Sequence, residues 1–179
     1  MISDGDNTIV VDTCSPVTFH SDDTLHFMGA DYVPAKYFRD ETLLRMWDYT
    51  DLEFTTWMGM DVLSNYKLIL DYANEEITFL TQDEPGIEGE EVTLHDAGGV
   101  YALQVDGWMY MLVDTRSPLS YISKCFTMSL KYEETQEQFY HGVGRFETPV
   151  YNLNCDFCDR KVNIPYGNLP TGLDVRLMM

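Results

Sequence analysis

Positive charge is scarce in this sequence: 11 Lys and Arg stand against 30 Asp and Glu in 179 residues, a net charge of −19. Repulsion on that scale excludes generic affinity for a nucleic-acid backbone and for an anionic membrane face. No segment approaches the roughly 18–20 consecutive apolar residues that a membrane-spanning helix requires. The chain opens Met1-Ile2-Ser3-Asp4-Gly5-Asp6 with no basic stretch leading into an apolar run. No secretory signal is therefore expected, and the cytoplasm is the expected compartment. The 4 cysteines are too few for a disulfide scaffold. Cys155 and Cys158 form a lone CxxC without the further ligands zinc needs, and a hairpin turn accounts for their spacing. His20, His26, His95 and His141 form neither an i,i+4 pair nor a triad, so neither a metal nor a cofactor is expected. Hydrophobic residues are plentiful at 45% and aromatics at 13%, too many for a disordered acidic tail. The acids must therefore coat a folded core.

The informative feature is an internal repeat. Val10-Val11-Asp12-Thr13-Cys14-Ser15-Pro16-Val17-Thr18-Phe19 returns as Leu112-Val113-Asp114-Thr115-Arg116-Ser117-Pro118-Leu119-Ser120-Tyr121. Both copies read apolar-apolar-Asp-Thr-x-Ser-Pro-apolar-hydroxyl-aromatic, and the aspartates stand 102 positions apart, a little over half the chain. One Asp-Thr-x-Ser-Pro is a common strand-to-turn sequence. Two at half-chain spacing point to two related halves: residues 1–84, a connector over 85–99, and residues 100–179.

The rest of each half reads as mainly β. Tyr66 to Leu80 is two apolar runs about an Ala73-Asn74-Glu75-Glu76 turn, and Tyr101 to Val113 is a second hairpin turning at Asp106-Gly107. The latter strand leads directly into Asp114. Pro149 to Pro165 reads as a third hairpin turning near Asp156 to Asp159, and Gly142-Val143-Gly144 as a turn. One or two short helices are expected. One is capped by Asp40, with Leu43, Leu44 and Trp47 at helical spacing. Acidic, Gly- and Pro-containing Thr81 to Glu91 reads as exposed.

Two aspartates placed by a repeat have a chemical use. Side by side, their carboxylates resist joint ionisation, so one proton is shared between them. The ionised member can deprotonate a water while the protonated one hydrogen-bonds a scissile carbonyl, a general acid–base hydrolysis. Thr13 and Thr115 are placed to exchange hydrogen bonds that hold the loops in register. Ser15 and Ser117 are expected to donate to the outer carboxylate oxygens of Asp12 and Asp114.

These motifs resemble those of the pepsin- and retropepsin-like aspartic peptidases, particularly small bacterial members with two retropepsin-like halves on one chain. In the first half, Trp57-Met58-Gly59-Met60-Asp61-Val62-Leu63 is similar to the family's apolar-apolar-Gly-x-Asp-x-Leu segment, which passes behind the catalytic loop. In the second, Leu112 to Ser123 resembles the Asp-Thr-Gly-Ala-Pro-type loop, and Gly142 to Tyr151 the strand region after it. The resemblance implies a bilobal acid-protease β-barrel with pseudo-twofold symmetry. It also implies Asp12 and Asp114 as catalytic dyad and a peptide or protein ligand in an inter-lobe cleft. The Leu25 to Val33 segment is then a cleft flap with Tyr32 near its tip, or else another core hairpin.

The pattern departs from the family at three places. Its third loop residue is Gly, replaced here by Cys14 and Arg116; a guanidinium beside Asp114 would favour the ionised carboxylate. The second apolar-apolar-Gly element has only a weak echo in Thr171-Gly172-Leu173-Asp174-Val175, so the second lobe reads as shortened. Halves this small would lean on each other or on a second copy of the chain. Two functions follow: an aspartic endopeptidase, or a catalytically inactive relative that binds a peptide or protein.

Overall fold

The structure is a computed structural model, and it describes residues 1–38, 42–50, 52–89, 91–105, 109–117, 119–121, 130–140, 144–157 and 160–168. Several expectations fall outside these residues: the Asp40 cap, the Asp106-Gly107 turn, Pro118, Cys125, Cys158, His141, the turn at 142–143 and the Leu169 to Met179 tail. The chain is mainly β, with two short helices among the described residues. Its packing divides it into two units, one of residues Met1–Glu91, Gly98–Val100 and Asp114–Arg116, the other of Val92–Ala97, Tyr101–Val113 and Ser117–Met179.

In the first unit β1 (Ile2–Asp4) and β2 (Asn7–Val11) form a hairpin. Strand β2 lies parallel to β6 (Thr56–Met58), whose other edge pairs antiparallel with β3 (Phe19–His20). The sheet order is thus β1-β2-β6-β3. The inner strands are unbroken buried runs, Ile9-Val10-Val11 and Thr56-Trp57-Met58, as a parallel pair covered on both faces requires. Helix α1 (Leu43–Thr50) closes one face. Met46 is fully buried with Val10, Phe19, Phe54 and Trp57, while Leu43 and Trp47 pack at the margin. The core stripe is therefore Leu43, Met46, Trp47 at i, i+3, i+4. Leu44, expected on that stripe, is 64% exposed, because it lies about 100° round the helix from Leu43.

Two further hairpins complete this unit. Strands β4 (Leu25–Phe27) and β5 (Ala30–Tyr32) turn at Met28-Gly29, both at positive φ. That conformation is the primed two-residue turn in which Gly at the second position is favoured. Strands β7 (Lys67–Asp71) and β8 (Glu76–Leu80) pair in full register about the expected turn. Phe27 of the first hairpin packs edge-on against Tyr66 and Phe79 beside the second, at ring separations of 5.6 and 5.0 Å. Beyond them, the described residues of 81–91 are all exposed.

The described residues of the second unit form two sheets. Strands β9 (Leu94–Asp96), β10 (Tyr101–Val105) and β11 (Met109–Leu112) run antiparallel in the order β11-β10-β9. Strand β9 lies inside the stretch expected to be connector. The other sheet is β12 (Ser120–Tyr121), β15 (Arg160–Gly167), β14 (Gly144–Phe157) and β13 (Tyr132–Tyr140), in that order. The third expected hairpin is the β14–β15 pair, and β14 continues back through Pro149 to Gly144. Proline's fixed φ suits extended backbone, so Pro149 does not end the strand. Leu119, Tyr121 and Val150, with Phe146, form its core.

Among the described residues the strands form five separate open sheets of two to four strands, and the closed barrel expected from the resemblance is not formed. No helix among them is long and apolar enough to cross a membrane.

Candidate functional site around Asp12 and Asp114

The loop that follows β2 carries the first aspartate, and the neighbouring parallel strand holds it. The Asp12 N–H donates to the Met58 carbonyl at 3.0 Å, extending the β2–β6 ladder by one bond. The chain then crosses over Gly59. The Met60 N–H donates to the Ser15 carbonyl at 2.7 Å. The Gly59 N–H donates to the Thr18 hydroxyl at 2.9 Å, and that hydroxyl donates to Asp61 Oδ1 at 2.6 Å. Asp61 Oδ2 accepts the Thr18 N–H at 3.0 Å. A Cβ on Gly59 would lie 2.3 Å from the Val17 carbonyl oxygen and 2.7 Å from that of Ser15. Only glycine lets the Trp57 to Asp61 segment pass this close behind the loop. Asp61 then seals the crossing and opens the single turn α2 (Met60–Leu63).

The two repeated loops close on themselves alike. The Cys14 N–H donates to Asp12 Oδ1 and the Arg116 N–H to Asp114 Oδ1, each at 2.8 Å. These are Asx turns, in which a carboxylate captures the amide two residues on. Ser15 Oγ donates to the Val17 carbonyl at 2.7 Å, and Ser117 Oγ donates to that of Leu119. Each serine hydroxyl thus finds an acceptor in its own turn, the carbonyl two residues ahead, and for Ser15 this takes the proton expected to go to the outer oxygen of Asp12.

Between the loops, Thr13 and Thr115 exchange hydrogen bonds. The Thr13 N–H donates to Thr115 Oγ1 at 3.2 Å, and the Thr115 N–H donates to Thr13 Oγ1 at 3.1 Å. Thr13 Oγ1 donates to Thr115 Oγ1 at 3.5 Å, and the latter passes its proton to the Val11 carbonyl at 2.9 Å. Asp12, Thr13, Asp114 and Thr115 are therefore brought together, as the repeat led one to expect.

The two carboxyls differ in environment. Asp12 is 3% exposed, whereas Asp114 is half-buried. Burial, then the charge of Asp114, pushes the Asp12 carboxyl up to about 7, against the lowering effect of donors from Cys14, Trp57 and Ser15. The Cys14 thiol is pushed well above its ordinary value, first by burial and then by the negative charges of Asp114 and Asp12; it also hydrogen-bonds Asp114.

Trp57 is the partner that the sequence reading missed. Its indole N–H donates to Asp12 Oδ2 at 2.9 Å, and the Arg116 guanidinium lies 5.7 Å from its ring centre. Arg116, expected to bear on the Asp114 carboxylate, thus places its cation over an indole face. A signal for Trp57 does exist in the sequence. It stands in the apolar-apolar-Gly segment, and a buried indole needs an acceptor for its N–H.

Tyr32 does not lie at a hairpin tip. It ends β5 opposite Leu25, and its hydroxyl pairs with that of Tyr66 at 2.7 Å. Within the β4–β5 hairpin Leu25 and Phe27 are buried, while His26, Met28, Gly29, Ala30 and Asp31 are exposed. Among the described residues no group of three or more His, Cys, Asp or Glu is placed to hold a metal ion.

Comparisons of the chain with protein-family models, with characterised proteins and with solved structures return no match.

Proposed function

We propose that the protein is an aspartic-peptidase-like hydrolase in which Asp12 and Asp114 cleave peptide bonds by water-mediated general acid–base catalysis. The observation that carries this reading is the reciprocal Thr13–Thr115 exchange, which fixes two otherwise distant loops so that each carboxyl feels the other. Asp12, buried and protonated below about pH 7, is the acid, and half-buried Asp114 is the base. Asp114 takes a proton from water as the water oxygen bonds to the scissile carbonyl carbon. Asp12 gives its proton to the carbonyl oxygen. Collapse of the tetrahedral intermediate breaks the C–N bond as the leaving nitrogen takes the proton from Asp114 and a hydroxyl of the intermediate returns its proton to Asp12, which restores the pair. A bilobal pepsin-like architecture accompanies this reading, and an extended peptide is the substrate class.

A second reading, a catalytically inactive relative that binds a peptide or protein, is favoured by one specific observation. Cys14 and Arg116 occupy the positions where Gly would leave room, and the Cys14 thiol engages Asp114.

Cleavage of a disordered protein substrate across pH 3–8, with the native chain, Asp12→Asn and Asp114→Asn, separates the two. The peptidase reading expects turnover that both substitutions abolish and that declines as pH rises through about 7. Turnover that Asp12→Asn leaves intact overturns the dyad. No turnover at any pH favours the binding reading.

A further inference from the structure

The Asp12 carboxyl needs a donor for its outer oxygen, because a buried carboxylate with an open lone pair is costly. Ser15, the hydroxyl nearest in sequence, spends its proton on the Val17 carbonyl. The position is filled from behind by Trp57, the register partner of Val10 on β6 and fully buried. Indole nitrogen carries a single N–H and accepts nothing, so it can hold the outer oxygen in one orientation only. The ring is itself pinned. Phe54 packs against it at 5.6 Å, and the Arg116 guanidinium covers it.

We propose that Trp57 is the positioning residue for Asp12, its indole N–H holding Oδ2 in the place that a loop hydroxyl has given up. This rests on the reading of Asp12 as one of a working pair, and it concerns orientation rather than contact with substrate. The charged or titratable groups bearing on Asp12 are Asp114, the Cys14 thiol and, across the indole, Arg116. Among the three donors to Asp12, only Trp57 comes from outside the loop. The carboxyl is thereby tied to β6, and so to the Gly59–Asp61 crossing that fixes the loop from behind. Asp12 is thus clamped from the core by a donor outside its own loop.

The test is a carbon-13 NMR titration of the Asp12 side-chain carboxyl in the native chain, Trp57→Phe and Ser15→Ala, with folding checked by circular dichroism. Trp57→Phe removes a donor to the ionised form, so the Asp12 midpoint rises by about one pH unit, a roughly tenfold stronger hold on the proton. Ser15→Ala leaves it in place. A midpoint that Trp57→Phe does not move, or that Ser15→Ala raises as much, overturns the proposal. Should Trp57→Phe fail to fold, the native chain still decides. The Trp57 indole N–H resonance should shift with the Asp12 midpoint while that of Trp47, bonded to the Phe54 carbonyl, stays level. A level Trp57 signal overturns the proposal. A chain with the expected shifts but no peptidase turnover would refute the catalytic reading and leave the positioning role standing.

Discussion

Thr13 and Thr115 satisfy each other across 102 residues of chain: each backbone N–H donates to the other's hydroxyl, at 3.2 and 3.1 Å. Thr13 Oγ1 also hydrogen-bonds Thr115 Oγ1, and Thr115 Oγ1 donates to the Val11 carbonyl. This reciprocal exchange fixes both loops, and the Cys14 thiol adds a further contact across them to Asp114.

Valine is the near-isosteric probe of that exchange. Thr115→Val removes the acceptor of the Thr13 N–H, and Thr13→Val removes that of the Thr115 N–H. Each substitution should destabilise the chain by about 1–3 kcal/mol. Urea unfolding measures the loss, and a negligible loss in both variants would show that the exchange does not hold the loops.

Asp12 makes stability depend on pH with a defined sign. Its folded value of about 7 lies above the ordinary 3.8, so the folded chain binds this proton more tightly than the unfolded one. The resulting stabilisation is fully present below about pH 4 and is lost as pH rises through about 7, a change on the order of a few kcal/mol. Asp23, Asp71 and Glu84, held below their ordinary values, act oppositely and only at lower pH. Between pH 5 and 7 the urea midpoint should therefore fall in the native chain. Asp12→Asn should flatten that interval.

Gly59 admits no side chain. The Val17 and Ser15 carbonyls that a Cβ would strike are backbone atoms held by the crossing itself. Gly59→Ala should cost about 2–3 kcal/mol or more in thermal or urea unfolding. A variant as stable as the native chain would mean that the segment does not run this close behind the Asp12 loop.

Cys14 is a free cysteine whose thiol is shielded and held protonated by its acidic neighbours. Because the thiolate is the reacting species, iodoacetamide at pH 7.5 should leave Cys14 unmodified in the folded chain and modify it after denaturation. Peptide mapping by mass spectrometry checks this residue by itself. Rapid labelling of the folded chain would contradict the environment described.

The sequence carried the site's skeleton because the same Asp-Thr-x-Ser-Pro pattern occurs twice; one copy would have read as an ordinary turn. The hairpins were legible from alternation and turn residues, as in Tyr66 to Leu80. What escaped notice depended on which partner is nearest in space. Ser15 could reach a carboxylate or a carbonyl, and the carbonyl two residues on won. Trp57 counted as one more apolar residue of β6, although its single N–H needed an acceptor. Arg116 could approach Asp114 or an aromatic face, a choice that depends on where β6 brings its indole. The turn of the β4–β5 hairpin is legible at Gly29, which puts Tyr32 at the end of its strand and not at the tip. That the described strands do not close into a barrel is a matter of pairing between strands distant in sequence, which local pattern does not encode.

The central claim is that Asp12 and Asp114 titrate as neighbours, and the titration of the Asp12 carboxyl in the native chain and in Asp114→Asn tests it most directly. The native midpoint should lie near 7. Removing the Asp114 charge should lower it while burial keeps it above the ordinary 3.8. A native midpoint near 3.8, or one that Asp114→Asn leaves unmoved, would contradict the pairing.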